Sequence, residues 1–455
     1  MFIIVLWIAF GLVSLALYFS HSMISELRAS ENRASGMAAE EAIMGAERYI
    51  SSVLANQIAV GSNGFALDPS AYLNEAVPVG DSHFWLIGRD TNFTTGPGVM
   101  SFGLVDEASK INLNSASSNV LYDLVDLFPN SNPDMSRAIM DWRNTNSAGE
   151  FQGYYSMQAQ PYQTKGGPFE SIDELRMIYG ADQDSLVGDD MNRNGILDPD
   201  ENDLDHNGQI NPGMLEYVTV FSREPNIGTN GGARINISAV TAGTVQLQNL
   251  LQQALGSSRA NQIMQNLGVG TGGGGSARGR TPGVTATASF RSPLEFYRAS
   301  RMTAAEFGQI ADQITVTNGS YIEGRININT ASPEVLECLP GLDTNPSYAQ
   351  SLLTYRQQNP DKLGSIAWIV DALGQGNSSA LDALQTSDCI TTRSYQVSAD
   401  VAALGPNGRG YRRIRFVFDT SDGTPRVVYC QDLTSLGWAL GKDVREAWLA
   451  TKPPQ

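Results

Sequence analysis

The chain has 455 residues, of which 42% are hydrophobic and 17% are charged, a composition typical of folded domains rather than of disordered chains. Its formal net charge of -17 at pH 7 argues against a general nucleic-acid binder, because phosphate backbones require a basic surface. The three cysteines and three histidines show none of the usual zinc spacings. The length is sufficient for two or three domains, each with its own core.

The N-terminal stretch is apolar. Residues 1–22 contain no Asp, Glu, Lys or Arg, and Glu26 is the first of these residues in the chain. About twenty helical residues, at roughly 1.5 Å each, span the roughly 30 Å hydrocarbon core of a bilayer, so the stretch predicts a transmembrane anchor. Apolar residues continue at helical spacing to Leu54, with no proline before Pro69. We expect one helix that leaves the membrane and ends near residue 58 as the spine of a globular domain.

Strand patterns occur at both ends of the remaining chain. Residues 82–90 and 99–114 predict strands, and residues 394–438 predict two or three antiparallel strands with Asn-Gly and Asp-Gly turns. We expect an α+β fold in which residues 23–110 and 386–440 build one antiparallel sheet on the spine helix. Residues 111–385 then form a large, mainly helical insertion, and residues 441–455 form a tail.

A short sequence recurs three times: KINLN from Lys110, RINIS from Arg234 and RININ from Arg325. Each copy has a basic residue, an Ile-Asn pair and a predicted helix that begins with a Ser or Thr cap. Arg143 and Arg356 both follow their Ile by about 30 residues. The repetition predicts tandem helical units that resemble the helix-hairpin-helix (SAM-like) module. Residues 268–283 are rich in glycine and predict a flexible linker between the second and third copies.

Much of the negative charge is concentrated in one segment. Residues 181–217 contain ten acidic residues and one basic residue. Within them, DMNRNGILDPDE (190–201) fits the calcium-loop pattern D-x-[DN]-x-[DN]-G-x5-E. Oxygen donors at this spacing suit Ca²⁺ rather than a transition metal, and the ion would have a structural role. The predicted ligands of this loop are Asp190, Asn192, Asn194, Ile196 through its carbonyl, Asp198 and Glu201.

A second, incomplete loop follows directly, so the acidic segment that we expect to bind Ca²⁺ covers residues 189–216. Asp203, Asp205 and Asn207 occupy the first ligand positions, but Met214 stands at the twelfth, so the acidic closure would come from Glu216. The alternative is a solvated acidic loop rich in Asx turns. We expect an EF-like loop rather than a complete EF-hand, because the flanking sequence is not clearly helical on both sides.

Nothing in the sequence indicates catalysis. The motifs GxSxG and HExxH and the P-loop do not occur, and the acidic residues have calcium-type spacing rather than the isolated pairing of catalytic carboxylates. We therefore expect that the protein is not an enzyme. Cys389 and Cys430 flank the predicted C-terminal strands, and a disulfide or two free thiols are both compatible with the sequence.

The apolar segment that continues into an amphipathic helix resembles the type IV pilin and pseudopilin family. Most members carry Glu at the fifth mature position, whereas this chain has Val5, counting from Met1. The family's short basic leader does not precede the apolar stretch, so we expect the numbering to begin near the processed end. Among the members, the K-type minor pseudopilin of type II secretion typically lacks this Glu, and it carries a helical domain between its pilin-like strands.

The resemblance to the K-type pseudopilin implies a function and a location. The chain would be a single-pass protein of the inner membrane with its bulk in the periplasm. It would lie at the tip of the pseudopilus, bind the I- and J-type minor pseudopilins and the secretion platform, and initiate or cap assembly during protein export across the outer membrane.

The alternative is a membrane-anchored helix-hairpin-helix DNA receptor of the competence type. DNA-binding hairpins present the backbone amides of a Gly-x-Gly turn to phosphate. The first copy has no glycine in its hairpin, LFPNSNP, and the third copy has one, in LPGLDTN. Because the chain is acidic and neither hairpin has a complete Gly-x-Gly turn, nucleic-acid binding is the less favoured hypothesis.

Overall fold

A computed structural model of the chain describes residues 2–59, 69–91, 98–128, 131–145, 149–203, 205–228, 231–241, 244–269 and 287–450. Its α-helices are α1 (Phe2–Ala59), α2 (Ser118–Asp126), α3 (Met135–Arg143), α4 (Gln152–Ser156), α5 (Gln183–Val187), α6 (Val245–Leu255), α7 (Ser257–Asn266), α8 (Pro293–Ser300), α9 (Ala304–Gly308), α10 (Pro333–Glu337), α11 (Ser347–Gln358), α12 (Trp368–Leu373), α13 (Ser378–Leu384) and α14 (Gly441–Ala450). Its strands are β1 (Val77–Val79), β2 (Ser82–Ile87), β3 (Val105–Asp106), β4 (Ile111–Asn112), β5 (Val218–Thr219), β6 (Arg223–Pro225), β7 (Ile235–Asn236), β8 (Val240–Thr241), β9 (Thr287–Ala288), β10 (Ile314–Thr315), β11 (Tyr321–Glu323), β12 (Ile326–Asn327), β13 (Ile390–Thr391), β14 (Gln396–Leu404), β15 (Arg412–Asp419) and β16 (Arg426–Asp432).

Helix α1 matches the predicted anchor and spine. Its residues 2–34 are exposed, and burial of one face begins at Ser35. An 18-residue window in the helix has a mean hydropathy of 2.5 and no buried residue. Among the described residues, α1 is the one helix long and apolar enough to cross a membrane, so it fits a single-pass anchor.

The second half of α1 packs on an antiparallel sheet with the strand order β1-β2-β14-β15-β16, in which β3 also pairs with β14. The α+β fold with an apolar N-terminal helix and an antiparallel sheet is thus confirmed. Small residues of the helix, such as Ala39, Ala42 and Ala46, allow close approach to the sheet. The core between helix and sheet also includes Ile43, Ile50, Leu54, Phe84, Leu86, Val397, Ala399, Val401, Phe416 and Phe418.

A tight backbone turn packs against α1 where the helix enters this domain. The turn between β14 and β15 contains Gly405 and Gly410, and a Cβ added to either would lie 2.2 or 2.3 Å from backbone atoms of Ser35. Only glycine permits this approach, and Gly410 also has a φ of +71°. Arg409 of the same turn donates to Glu31 at 2.6 Å. The turn therefore lies at the point on α1 where burial of the helix begins.

The segment 99–114, which predicts strand throughout, is strand only in β3 and β4. The carboxylate of Asp106 accepts a hydrogen bond from Ala108 N at 2.8 Å and caps the 3₁₀ turn Glu107–Ser109, which separates the two short strands. A side chain that bonds to its own backbone in this way competes with a strand ladder. The interruption directs the chain out of the sheet and into the insertion.

The three repeated sequences have the same local structure. Each Ile-Asn pair is a short strand that pairs in parallel with a later strand: β4 with β5, β7 with β10, and β12 with β13. In each copy the Asn side chain accepts from a backbone N–H two residues further on, at 2.9 Å for Asn112, 2.7 Å for Asn236 and 3.0 Å for Asn327. The helix-hairpin-helix interpretation of the repeated units stays a prediction.

Two arginines that the sequence aligns have equivalent contacts. Arg143 donates to the carbonyls of Leu113 and Ala116. Arg356 donates to the carbonyl of Ile328 at 3.4 Å and to that of Ala331 at 2.7 Å. Each guanidinium thus satisfies the carbonyls of the turn that follows an Ile-Asn strand. Buried carbonyls require such partners, which explains why the arginine recurs.

The basic residues of the second and third copies share one buried carboxylate. Glu224 of β6 pairs with Arg234 at 2.6 Å and with Arg325 at 3.3 Å. The two arginines reach further carboxylates, Asp312 at 3.2 Å and Asp388 at 2.5 Å. Burial alone would raise the pKa of Glu224, but the two guanidiniums outweigh it and lower the pKa to about 2. Glu224 is therefore a charged link between two repeated units.

The thiols of Cys338, Cys389 and Cys430 are free. Of the two alternatives for Cys389 and Cys430, the structure therefore has two free thiols and not a disulfide.

Most of the predicted glycine-rich linker, residues 270–283, lies outside the described residues.

Replacement of Glu224 by Gln tests the charged link. We expect a loss of about 3–5 kcal/mol in the free energy of unfolding, because two buried guanidiniums lose their shared charge. Glu446→Gln is the control, since Glu446 pairs with Lys442 and both side chains are about two-thirds exposed; it should cost less than about 1 kcal/mol. Urea unfolding of both variants measures the difference, and equal effects would contradict the role given to Glu224.

The same link predicts a pH dependence. The pKa of Glu224 is lowered on folding from 4.5 to about 2. Its stabilisation is therefore present above pH 4.5 and is lost as the pH falls towards 2. Glu224→Gln should remove this part of the acid-induced loss of stability, which unfolding titrations between pH 5 and 2 would detect. A wild-type-like acid dependence in the variant would contradict the prediction.

Candidate cation-binding site

The acidic segment begins and ends at a close backbone contact. Gly213 N donates to Val187 O at 2.8 Å, and Asp189 N donates to Asn211 O at 3.0 Å. A Cβ on Gly213 would lie 2.3 Å from backbone atoms of Leu186 and Val187. Glycine at this position therefore allows the start and the end of the acidic segment to pack against each other. The residues between these two contacts form one closed loop region.

In the first loop, backbone amides converge on Asp190. Asn194 N and Gly195 N donate to its two carboxylate oxygens at 2.8 Å each. Ile196 N donates to Asn194 Oδ1 at 2.9 Å. Arg193 has a φ of +58° and Gly195 a φ of +84°, so the chain turns sharply twice within three residues. This is the compact turn that a calcium loop requires at its sixth position.

The remaining predicted ligands of the first loop meet on its inner side. Asn192 Nδ2 and Asn194 Nδ2 donate to the same oxygen of Asp198, at 2.7 and 2.8 Å. The carboxylate of Glu201 accepts from Asn192 N and from Asp198 N, at 3.0 Å each. Four of the six predicted residues are thus joined directly by side-chain hydrogen bonds, and Asp190 and Ile196 join them through Asn194.

The chemistry of this donor set fits a hard cation. Asn192 is buried, and its Oδ1 has no hydrogen-bond partner. Burial raises the pKa of Asp190, and it raises that of Glu201 to about 7, and neighbouring carboxylates add to both shifts. In the described part of the chain, no three His, Cys, Asp or Glu side chains form a metal cluster, so a cation here would also need amide and carbonyl oxygens.

The second loop has the hydrogen-bond pattern of the first, displaced by thirteen residues. Asn207 N and Gly208 N donate to the carboxylate of Asp203 at 3.2 and 2.9 Å, and Gln209 N donates to Asn207 Oδ1 at 2.6 Å. Asp205 accepts from Asn207 Nδ2 at 2.8 Å. Unlike the first loop, residues 205–209 are exposed.

Glu216, the residue predicted to close the second loop, has another partner. It receives two hydrogen bonds from the Arg89 guanidinium, at 2.7 and 3.1 Å. Burial would raise the pKa of Glu216, but Arg89 outweighs it and lowers the pKa. The structure therefore pairs Glu216 with an arginine that contacts the first loop.

Two arginines near the sheet contact the first loop, and neither was predicted from the sequence. Arg413 of β15 donates to the carbonyls of Asn192 and Arg193, and Arg89, two residues after β2, donates to those of Arg193 and Asn194. A signal was present for Arg413, because a strand with Arg413 and Arg415 two residues apart carries two charges on one face. Such a face requires acidic or carbonyl partners when it is buried.

The hairpin of the third copy does not offer its amides to a ligand. Gly341 N donates to the carboxylate of Asp343 at 2.8 Å. A Cβ on Gly341 would lie 2.4 Å from the carbonyl oxygen of Ala380, so the glycine serves close packing on α13. Pro129 and Asn130 of the first hairpin lie outside the described residues. The third hairpin therefore lacks the free amides of a phosphate cradle.

Comparison with known proteins gives a family match that begins at β3 and extends into the insertion. Residues 104–187 match the family described as type II secretion system (T2SS), protein K. A solved structure, described as the crystal structure of the GspK-GspI-GspJ complex from the enterotoxigenic Escherichia coli type 2 secretion system, is similar with a TM-score of 0.42 and 10% identity. The similarity covers 90% of this chain and 99% of that chain. No curated protein matches the chain.

Replacement of Gly213 by Ala tests the closure of the acidic segment. The added Cβ would collide with the backbone of Leu186 and Val187, so we expect a loss of about 1–3 kcal/mol in the free energy of unfolding. Gly153→Ala is the matched control, because no atom lies within 4 Å of its added Cβ; it should be neutral or slightly stabilising. Urea unfolding measures both, and a neutral Gly213→Ala would contradict the closure.

Proposed function

We propose that this chain belongs to the family described as type II secretion system (T2SS), protein K, which its residues 104–187 match, and that it is a minor pseudopilin at the tip of the pseudopilus. It initiates or caps pseudopilus assembly and so supports protein export across the outer membrane. Its helix α1 anchors it in the inner membrane, and its bulk lies in the periplasm. Its partners are the I- and J-type minor pseudopilins and the secretion platform.

One observation carries this proposal. An exposed apolar helix continues as the spine of an antiparallel sheet, and the strands on either side of a large insertion meet in that sheet. The family match begins one residue before β3, in the sheet, and continues into the first part of the insertion. Anchor, spine and sheet suit a subunit that packs into a helical bundle of similar subunits, and none of them suits an enzyme active site.

The size of the insertion supports the tip position. The insertion, residues 111–385, occupies more than half of the chain and would obstruct a subunit stacked above it, so the chain suits the end of the assembly.

Exposed methionines on α1 offer a test of subunit packing. Met37 and Met44 are 68% and 44% exposed and lie two helical turns apart, on one face of the helix within the globular domain. We expect Met37→Lys/Met44→Lys to reduce co-purification of the full chain, in detergent, with I- and J-type minor pseudopilins at least tenfold. Met157→Lys is the matched control, because Met157 is also an exposed methionine, 87% exposed, but lies in the insertion and not on α1.

Two results would contradict the proposal. One is a wild-type chain that captures no pilin-like subunit, and the other is tight, salt-sensitive binding to DNA in a mobility-shift assay at low salt, which would favour the competence-type receptor. If the Met37→Lys/Met44→Lys variant co-purified with these subunits as well as the wild type does, this helix face would be excluded as the interface. The role as a minor pseudopilin would then be decided by the wild-type chain alone.

We also propose that the first loop binds Ca²⁺ as a structural ion, through Asp190, Asn192, Asn194, the Ile196 carbonyl, Asp198 and Glu201, and that Asp203, Asp205 and Asn207 begin a second, weaker site. The unpartnered Asn192 Oδ1 and the raised pKa of Asp190 and Glu201 support the proposal. A bound cation would neutralise these carboxylates and hold the loop together.

Replacement of Glu201 by Gln tests the ion. We expect the melting temperature of the full chain to fall in millimolar Ca²⁺ and to change little in chelator, because a ligand that binds only the folded state at 100 times its Kd stabilises it by about 2.7 kcal/mol. Asp200→Asn is the matched control, since Asp200 is the exposed neighbour outside the predicted ligand set. Equal losses with and without Ca²⁺ would show that the loop is not a metal site.

A further inference from the structure

We propose that Arg89 and Arg413 are positioning residues, which hold the first loop in the conformation that binds the cation and so couple cation binding to the docking of the insertion on the sheet. The inference rests on the Ca²⁺ binding proposed above. Neither arginine offers an oxygen to a cation, and each acts through the backbone of the loop.

Arg413 connects the loop to the centre of the sheet. Its side chain is completely buried and forms two hydrogen bonds with the carboxylate of Asp400 on the neighbouring strand β14, at 2.8 and 2.7 Å. On its other side it donates to the carbonyls of Asn192 and Arg193, the latter at 2.7 Å. The two-point pairing with Asp400 fixes the guanidinium plane, so the direction of the remaining N–H groups is fixed as well.

Arg89 holds the same backbone from a second direction. It donates to Arg193 O at 3.0 Å and to Asn194 O at 3.3 Å, and Glu216 orients its guanidinium. A Cβ added to Gly195 would lie 3.0 Å from Arg89 Nε, so the guanidinium lies directly against the turn. Three consecutive carbonyls of the loop are thus held by two guanidiniums, each with a carboxylate partner of its own.

These contacts determine where the ligands point, because the C=O and N–H of a trans peptide unit point in opposite directions. When an arginine holds Arg193 O, the adjoining Asn194 N–H is turned to the other side, where it meets Asp190. The next unit does the same, with Asn194 O on Arg89 and Gly195 N on Asp190. The arginines therefore fix the turn around the Asp190 carboxylate from outside.

The second loop provides a comparison within the same chain. It has the same amide-to-carboxylate pattern around Asp203, with φ of +59° at His206 and +72° at Gly208. In the described part of the chain, however, no arginine donates to its carbonyls, and residues 205–209 are exposed. Two loops of equal local geometry thus differ in external support, and we expect the supported loop to bind Ca²⁺ more tightly.

The supported loop also contributes to the contact between the insertion and the sheet. Asn192 Nδ2 donates to Trp438 O at 3.1 Å, and Ile196 Cδ1 would be 3.1 Å from a Cβ on Gly441. Both contacts are with the segment that follows β16. A loop that closes on a cation therefore presents a rigid surface to the sheet, whereas a loop that opens releases the carbonyls held by Arg89 and Arg413.

Calorimetric titration of the chelator-treated full chain with Ca²⁺, in detergent, tests the inference. We expect Arg89→Gln and Arg413→Lys to weaken the tighter binding step about 10–100-fold and to leave the weaker step unchanged, as is typical for residues that orient metal ligands. Arg415→Lys is the matched control, because Arg415 pairs with the same Asp400 at 2.8 Å but donates to no carbonyl of the loop. Hydrogen exchange of the amides of residues 193–196 should accelerate in the two loop variants and not in the control.

Arg89→Gln keeps the test valid if Arg413→Lys fails to fold, because Arg89 lies at the end of the sheet and its side chain is 14% exposed. A wild-type chain that binds no Ca²⁺ would overturn both the ion and the inference. Wild-type binding with unchanged affinity in Arg89→Gln would overturn the inference alone. An equal loss in Arg415→Lys would also overturn it, because the effect would then come from Asp400 and the sheet.

Discussion

Strand β14 is the constraint on which the rest of the fold depends. All nine of its residues are buried, and it pairs with β15 on one side and with β2 and β3 on the other. Its partners β2 and β3 precede the insertion, whereas β14 follows it, so the core under α1 is incomplete until the chain has passed through the whole insertion. Closure over such a separation has a high entropic cost, which the insertion must offset by bringing its own ends together.

Buried polar contacts bring those ends together. The carboxylate of Asp106, at the exit from β3, accepts hydrogen bonds from Thr330, Asn327 and Ser394, the last just before β14. Burial raises the pKa of Asp106, and the surrounding donors counter this effect. Glu224 links the second and third repeated units in a similar way, through its ion pairs with Arg234 and Arg325. Both carboxylates select one arrangement of segments that are distant in sequence, because any other arrangement would leave a buried charge without partners.

The sequence was informative where structure is local. The apolar run and its helical continuation predicted α1 almost to its last residue, and the repeated Ile-Asn sequences identified three units with equivalent strands and, in two of them, equivalent arginines. The calcium-type pattern identified a loop whose side chains do meet. Arg89 and Arg413 were not found, because they are about 100 and 220 residues from the carbonyls that they hold, and no local period connects them. The strand over residues 99–114 was overestimated because the cap formed by Asp106 is a competing local interaction.

The turn that packs on Ser35 sets the distance between the folded body and the bilayer. If the membrane segment ends at residue 22, as the sequence predicts, residues 23–34 remain as an exposed helical segment, about 18 Å long at 1.5 Å per residue, which Arg409 contacts near its far end, at Glu31. This length is roughly twice the Debye length of about 8 Å at physiological ionic strength. The field of anionic headgroups therefore decays along this segment before it reaches the acidic body, and a chain with a net charge of -17 can stand over a negatively charged membrane without strong repulsion.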